Sequence, residues 1–112
     1  MNGELIKEYL KEGKEFMERR LYGKALGCFN FILEIDPKNL EGWIWRGKTL
    51  TKLHRYVKAV KSFNCALLID RKCVEAWILK AQTLRILGQF KQEQECYEKV
   101  KEIDPSFKPS SE

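Results

Sequence analysis

The sequence predicts an all-α fold made of three antiparallel helix pairs, and three observations support this. A 34-residue period divides most of the 112-residue chain into windows 6–39, 40–73 and 74–107, without insertion or deletion. Each window carries two apolar stripes with helical spacing. Strand-like alternation is hard to find, and the balance of 33% charged and 44% hydrophobic residues is typical of a globular chain. We therefore interpret residues 1–112 as a single domain with a short tail, 108–112.

The period follows from a recurring triplet. Ile-Asp-Pro occurs at 35–37 and again at 103–105, and Ile-Asp-Arg at 69–71 lies midway between them. Because proline cannot occupy a helix interior, these triplets mark the end of the second helix in each window.

The first helix of each window follows from its fourth, eighth and eleventh places, which lie on one helical face. These places hold Tyr9, Gly13 and Phe16, then Trp43, Gly47 and Leu50, then Trp77, Ala81 and Leu84. The small residue at the eighth place allows the partner helix to approach closely.

The second helix of each window follows from its twentieth, twenty-fourth and twenty-seventh places. They hold Ala25, Phe29 and Ile32, then Ala59, Phe63 and Ala66, then Glu93, Tyr97 and Val100. Glu93 replaces a small residue opposite Ala81, so we expect looser packing of the last pair or an acid that bends outward.

Between the two helices of a window lies a short turn. Gly88 suits such a turn, whereas Arg20 and His54 hold the same place in the other windows. We therefore expect an uncommon backbone conformation at Arg20 and His54.

The three windows resemble the tetratricopeptide repeat family, whose 34-residue period and W…L-G…Y…A…F…P signature they follow over residues 6–107. The resemblance implies a right-handed α-solenoid whose first helices line a concave groove. Arg71 departs from the pattern, since it replaces the proline between repeats. Arrays of this family commonly end in an extra helix, for which 108–112 are too short.

The resemblance also implies which residues face the groove. Apolar side chains there, next to cations, indicate a surface that binds a segment of a partner protein. The candidate peptide-binding residues are Leu10, Lys14, Ile44, Trp45, Lys48, Ile78, Leu79, Gln82 and Arg85. Trp43 is assigned to the core. Trp45 lies about 200° from Trp43 round the helix axis and is assigned to the groove. The alternative is that these residues only widen the contact between helices.

One known ligand of the family is not expected here. The resemblance implies that a two-carboxylate clamp for chaperone tails would use lysine and asparagine on the first helix, asparagine on the third, and lysine and arginine on the fifth. In that order, the corresponding places hold Leu10, Lys14, Lys48, Glu75 and Leu79, so none carries the required residue. Glu75 would repel an acidic tail, so the clamp is predicted to be absent.

Charge is concentrated in the middle window. Residues 40–73 contain eight lysines and arginines but only two acids, and no acid occurs between 42 and 69. Such a block favours an acidic partner. Nucleic-acid binding is a weaker alternative, since no motif or aromatic stacking platform accompanies the block. Self-association through the last helix, by its Tyr97, Val100 and Ile103 stripe, is the structural alternative.

The sequence contains little that indicates a catalytic site. His54 is the single histidine and has no nucleophile nearby in an obvious arrangement, and no Gly-rich phosphate loop occurs. The four cysteines form no C-x-x-C pair, so neither a metal nor another cofactor is expected. Apolar runs are too short to span a membrane and a secretory signal is lacking. We therefore predict a non-catalytic cytoplasmic adaptor or scaffold.

Overall fold

A computed structural model describes residues 2–109, and these form six consecutive helices without any strand. They are α1 (Asn2–Glu18), α2 (Tyr22–Ile35), α3 (Leu40–Lys52), α4 (Tyr56–Ile69), α5 (Val74–Ile86) and α6 (Phe90–Ile103). Contacts join α1 to α2, α3 to α4 and α5 to α6, and the pairs stack through α2 on α3 and α4 on α5. Short turns make each pair antiparallel. The predicted all-α fold of three stacked pairs is confirmed.

Close contact within each pair depends on a small residue in the first helix. A Cβ atom added at Gly13 would lie 2.6 Å from the ring of Phe29, and one added at Gly47 would lie closer still to the ring of Phe63. Ala81 holds the same place in the third pair and is fully buried. The aromatic ring of the second helix therefore rests against the backbone of the first.

The three turns within the pairs share one geometry. Arg20 and His54 have φ values of 62° and 61°, and Gly88 has 77°. The next backbone N–H then donates back to the last turn of the helix, as in Leu21 to Phe16 at 2.8 Å. The expected uncommon conformation at Arg20 and His54 is confirmed.

The turns between repeats are stabilised by tryptophan. Trp43 Nε1 donates to the carbonyl oxygen of Pro37 at 2.7 Å, and Trp77 Nε1 donates to that of Arg71 at 2.8 Å. The Asp70 carboxylate accepts the backbone N–H of Lys72 at 3.0 Å. These bonds maintain the turn at Arg71 without proline.

Of the two alternatives expected for Glu93, the structure contradicts the outward bend. Its side chain is 7% exposed, and its Oε2 atom lies 3.9 Å from Nη1 of Arg85. The acid therefore stays in the helix interface beside a cation rather than bending outward. After α6, Phe107 folds back and stacks on Tyr97 with ring centroids 5.9 Å apart.

Candidate functional site

The face shared by α1 and α3 brings together three of the predicted peptide-binding residues. Lys14 Nζ lies 5.3 Å from the ring centroid of Trp45, and Lys48 Nζ lies 4.2 Å from it. All three side chains are half-buried. We call Lys14, Trp45 and Lys48 the lysine–tryptophan cluster, in which two ammonium groups lie over one indole ring.

Each lysine of this cluster also pairs with a glutamate of the following repeat. Lys14 lies 3.8 Å from Glu41, and Lys48 lies 2.9 Å from Glu75. The two glutamate side chains are 60% and 55% exposed. Ion pairs this exposed contribute only about 0–1 kcal/mol, so a ligand carboxylate can replace the glutamates at little cost.

Trp45 has a second role that its place in the repeat did not reveal. Its ring stacks on Phe29 with centroids 5.9 Å apart and 26° between the planes, against the cluster of Ala25, Phe29 and Ile32. Leu79, at the same place one repeat later, packs against the cluster around Phe63. Trp45 therefore contributes to packing in addition to its predicted place in the groove, because this place covers the preceding repeat.

Ile44 also differs from the expectation. It is 5% exposed and belongs to a core cluster with Ala66, Leu67 and Ala76 between the second and third repeats. A side chain buried in this way is not available to a ligand in the groove. Trp43 packs on the same cluster while remaining half-buried, which agrees with its assignment to the core.

The remaining candidates lie at different depths. Leu10 and Ile78 are half-buried, like Leu79, and can add apolar contact area beside the cluster. Gln82 and Arg85 are exposed, and Arg85 is engaged with Glu93 of α6. The predicted set therefore divides into the lysine–tryptophan cluster, a half-buried apolar margin, two exposed polar residues and the buried Ile44.

Arg46 is a structural residue that the sequence interpretation counted only as part of the basic block. Its Nε donates to Asn30 Oδ1 at 2.8 Å and its Nη1 to Ser62 Oγ at 2.6 Å. It thereby joins α2 to α4 across the repeat boundary. In the sequence, the sign of this role was Ser62, a polar residue on an otherwise apolar helix face. In the structure Ser62 is fully buried.

Two of the four cysteines, Cys28 and Cys96, are buried and have the character of core residues. Burial, with a smaller effect of the Glu12 carboxylate, raises the pKa of the Cys28 thiol from 9.0 to about 11. Burial likewise raises the pKa of Cys96. Both thiols are protonated at neutral pH and are therefore weak nucleophiles.

Residues 2–109 contain no group of three or more His, Cys, Asp or Glu side chains that could hold a metal ion. None of the helices in this range combines the length and the apolar character needed to cross a membrane.

Comparison with known proteins gives a family match and many structural neighbours. The family model described as "Tetratricopeptide repeat" matches residues 74–107. No curated protein sequence matches the chain.

Among solved structures, the first TPR of Spaghetti (RPAP3) bound to the HSP90 peptide SRMEEVD has 20% identity and a TM-score of 0.86, covering 91% of this chain and 81% of that one. The TPR2B domain of yeast Sti1 in its pHsp70 complex has 23% identity and a TM-score of 0.85, and the match covers 88% of this chain and 79% of that one. The Sgt2 TPR domain from Aspergillus fumigatus has 25% identity and a TM-score of 0.84, and the match covers 90% of this chain and 67% of that one. Residues 74–107 therefore match the tetratricopeptide repeat model, and the chain shares the fold of tetratricopeptide domains, with three stacked helix pairs.

Proposed function

We propose that the protein is a non-catalytic adaptor that binds a segment of a partner protein across the face formed by α1, α3 and α5. The observation that carries this proposal is the lysine–tryptophan cluster. It combines an apolar ring with two ammonium groups whose ion-pair partners are exposed glutamates. A ligand with both an apolar and an acidic side chain matches this combination.

Binding would use the cluster in two steps. Ligand carboxylates approach Lys14 and Lys48 and displace Glu41 and Glu75, which return to water. An apolar ligand side chain then covers the exposed part of Trp45, where a half-buried aromatic ring supplies contact area at low entropic cost. The half-buried Leu10, Ile78 and Leu79 would extend the apolar contact, and Gln82 offers a hydrogen-bonding amide.

The structural neighbours support a peptide ligand without naming it. Two of them are TPR domains solved with an HSP90 peptide and with pHsp70. At 20% and 23% identity they share the fold with this chain. We do not extend their ligands to it, because Leu10, Glu75 and Leu79 occupy places of the chaperone-tail clamp.

The two alternative functions receive less support from the geometry. Of the stripe suggested for self-association, Val100 is fully buried and Tyr97 is stacked on Phe107. Of the basic block suggested for nucleic acid, Arg46 is bonded internally and Lys48 belongs to the lysine–tryptophan cluster. A cytoplasmic location remains a prediction.

The proposal can be tested with peptides selected from a random library on the wild-type protein. Their affinities are then measured by fluorescence anisotropy for the Lys14→Gln, Lys48→Gln double variant. We expect binding to weaken by about tenfold or more, since charge-assisted contacts each contribute about 1 kcal/mol or more. The peptide SRMEEVD serves as a second probe and is expected to bind only weakly.

The matched control is Lys61→Gln with Lys91→Gln, which removes the same charge from exposed positions on α4 and α6. It should leave peptide affinity unchanged. Selected peptides that bind the Lys14, Lys48 variant as tightly as the wild type would refute the proposal.

A further inference from the structure

The middle repeat departs from its neighbours at two exposed places, and both lie at the C-terminal end of α4. Leu68 stands where the first and third repeats carry Glu34 and Glu102, and all three side chains are exposed. Arg71 stands where each of the other repeats carries proline. The repeat scaffold therefore requires neither an apolar residue at Leu68 nor a cation at Arg71.

Leu68 is the most exposed large hydrophobic side chain of residues 2–109, at 84%. It borders an open depression of about 1010 Å³ between α4, α5 and α6, which Trp77 also lines. Because the indole N–H of Trp77 is bonded to the carbonyl oxygen of Arg71, the ring offers apolar surface to this depression. The two side chains therefore form an apolar patch beside a cavity large enough for ligand side chains.

The depression is strongly basic. Four cations and a single acid, Glu102, line it; the cations are Arg71, Lys72, Lys80 and Lys99. Lys99 pairs with Glu102 at 3.8 Å, whereas Arg71 and Lys72 form no ion pair with any residue in 2–109. Lys80 Nζ lies 5.3 Å from the ring centroid of Trp77. Positive charge around the apolar patch thus exceeds negative charge, with one of the four cations paired to Glu102.

This depression is separate from the groove of the proposed function, which α1, α3 and α5 form. On α5, Trp77 and Lys80 share one helical face, whereas Ile78 and Gln82 lie on a face turned about 150° away. A ligand in the depression and a ligand in the groove therefore contact opposite sides of α5.

We propose that this depression is a second docking site, which binds an acidic segment of a partner protein bearing an aliphatic side chain. We call it the outer site and define it by Leu68, Arg71, Lys72, Trp77, Lys80 and Lys99. The aliphatic side chain covers Leu68 next to Trp77, and flanking carboxylates pair with Arg71 and Lys72. Charge complementarity selects the acidic segment, because the site has an excess of cations around its only exposed apolar side chain.

The test uses two fluorescein-labelled peptides, EDELLDED and EDESSDED, in anisotropy titrations at low salt. We expect EDELLDED to bind more tightly, and both Leu68→Glu and the Arg71→Gln, Lys72→Gln double variant to weaken it by about tenfold. Leu68→Glu should keep the fold, since glutamate holds the same place in the other two repeats. Circular dichroism verifies this before binding is measured.

Two controls have matched chemistry. Val57→Glu changes another exposed apolar residue of α4, 59% exposed, and Lys61→Gln with Lys91→Gln removes two charges elsewhere. Both should bind EDELLDED like the wild type. The Lys14→Gln, Lys48→Gln variant should also bind it normally, which separates the outer site from the groove of the proposed function.

Four outcomes would overturn the outer site. The first is equal binding of EDELLDED to Leu68→Glu and wild type, and the second is loss of binding in the Lys14, Lys48 variant. A third is a single-stranded oligonucleotide that displaces the peptide and binds Leu68→Glu undiminished, which would assign the cations to nucleic acid. A fourth is a wild-type dimer in light scattering that Leu68→Glu dissociates, which would assign the patch to a second copy of the chain.

Discussion

At the scale of single residues, two glycines decide how closely the helices of a pair approach. Gly13 and Gly47 face the rings of Phe29 and Phe63, with no room for a methyl group between them. Gly27, in α2, has no neighbouring atom within 4 Å of an added Cβ. The same residue type is thus required by packing at one position and merely tolerated at another.

We therefore expect opposite effects of the same substitution. Gly47→Ala should lower the free energy of unfolding by about 1–3 kcal/mol, because the ring of Phe63 is fully buried and cannot move away. Gly27→Ala should raise it by about 0.5–1 kcal/mol through helix propensity. Urea unfolding followed by circular dichroism measures both, and a stabilising Gly47→Ala would contradict the close contact.

At the scale of helices, the sixth place of the second and third repeats connects one helix pair to the pair before it. Trp45 stacks on Phe29 and Leu79 packs on the cluster around Phe63, whereas Lys11, their counterpart in the first repeat, is exposed. Comparison between windows could not reveal this role, because the counterpart in the first window is an exposed lysine.

The packing of Trp45 determines the expected effect of its removal on stability. Trp45→Ala should destabilise the protein by about 2–4 kcal/mol, because it deletes a large side chain from the contact between repeats. Lys11→Ala, at the same place of the first repeat, should change stability by less than about 0.5 kcal/mol. If thermal and urea unfolding showed equal stability for the two variants, the packing role of Trp45 would be incorrect.

At the scale of the whole molecule, the fold is a linear stack with dimensions of 40 × 26 × 20 Å. Most contacts between elements join helices that follow each other along the chain. In such a stack, stability comes from each pair and its nearest neighbours. The middle pair, α3 and α4, has a neighbour on both sides, whereas the first and third pairs have one within this chain.

The rate of amide hydrogen exchange should depend on the number of neighbouring pairs. We expect the slowest amide exchange in α3 and α4 and faster exchange in α1 and α6, because local opening at either end breaks fewer contacts. Mass spectrometry of the exchanged protein measures this directly. Uniform protection across the six helices would show instead that the domain unfolds only as a whole.

The fold could be predicted from sequence almost completely, because the same pattern occurs three times. The 34-residue period defined the pairs, and the shared place of Arg20, His54 and Gly88 predicted their backbone conformation. The candidate site was less predictable. Its lysines and Trp45 were identified, but the buried position of Ile44 was not.

What the sequence determined by itself was the periodic part of the protein: the three helix pairs, the small residues where paired helices approach closely, and the turns. Each of these depends on contacts within one repeat, which recur and can be compared. Only the tertiary structure decided what happens between repeats, including the stacking of Trp45 on Phe29, the bridge of Arg46 from Asn30 to Ser62, and the depression beside Leu68. The physical reason is that these contacts join residues of different repeats, and the stacking that brings them together is not encoded at any single place of the period.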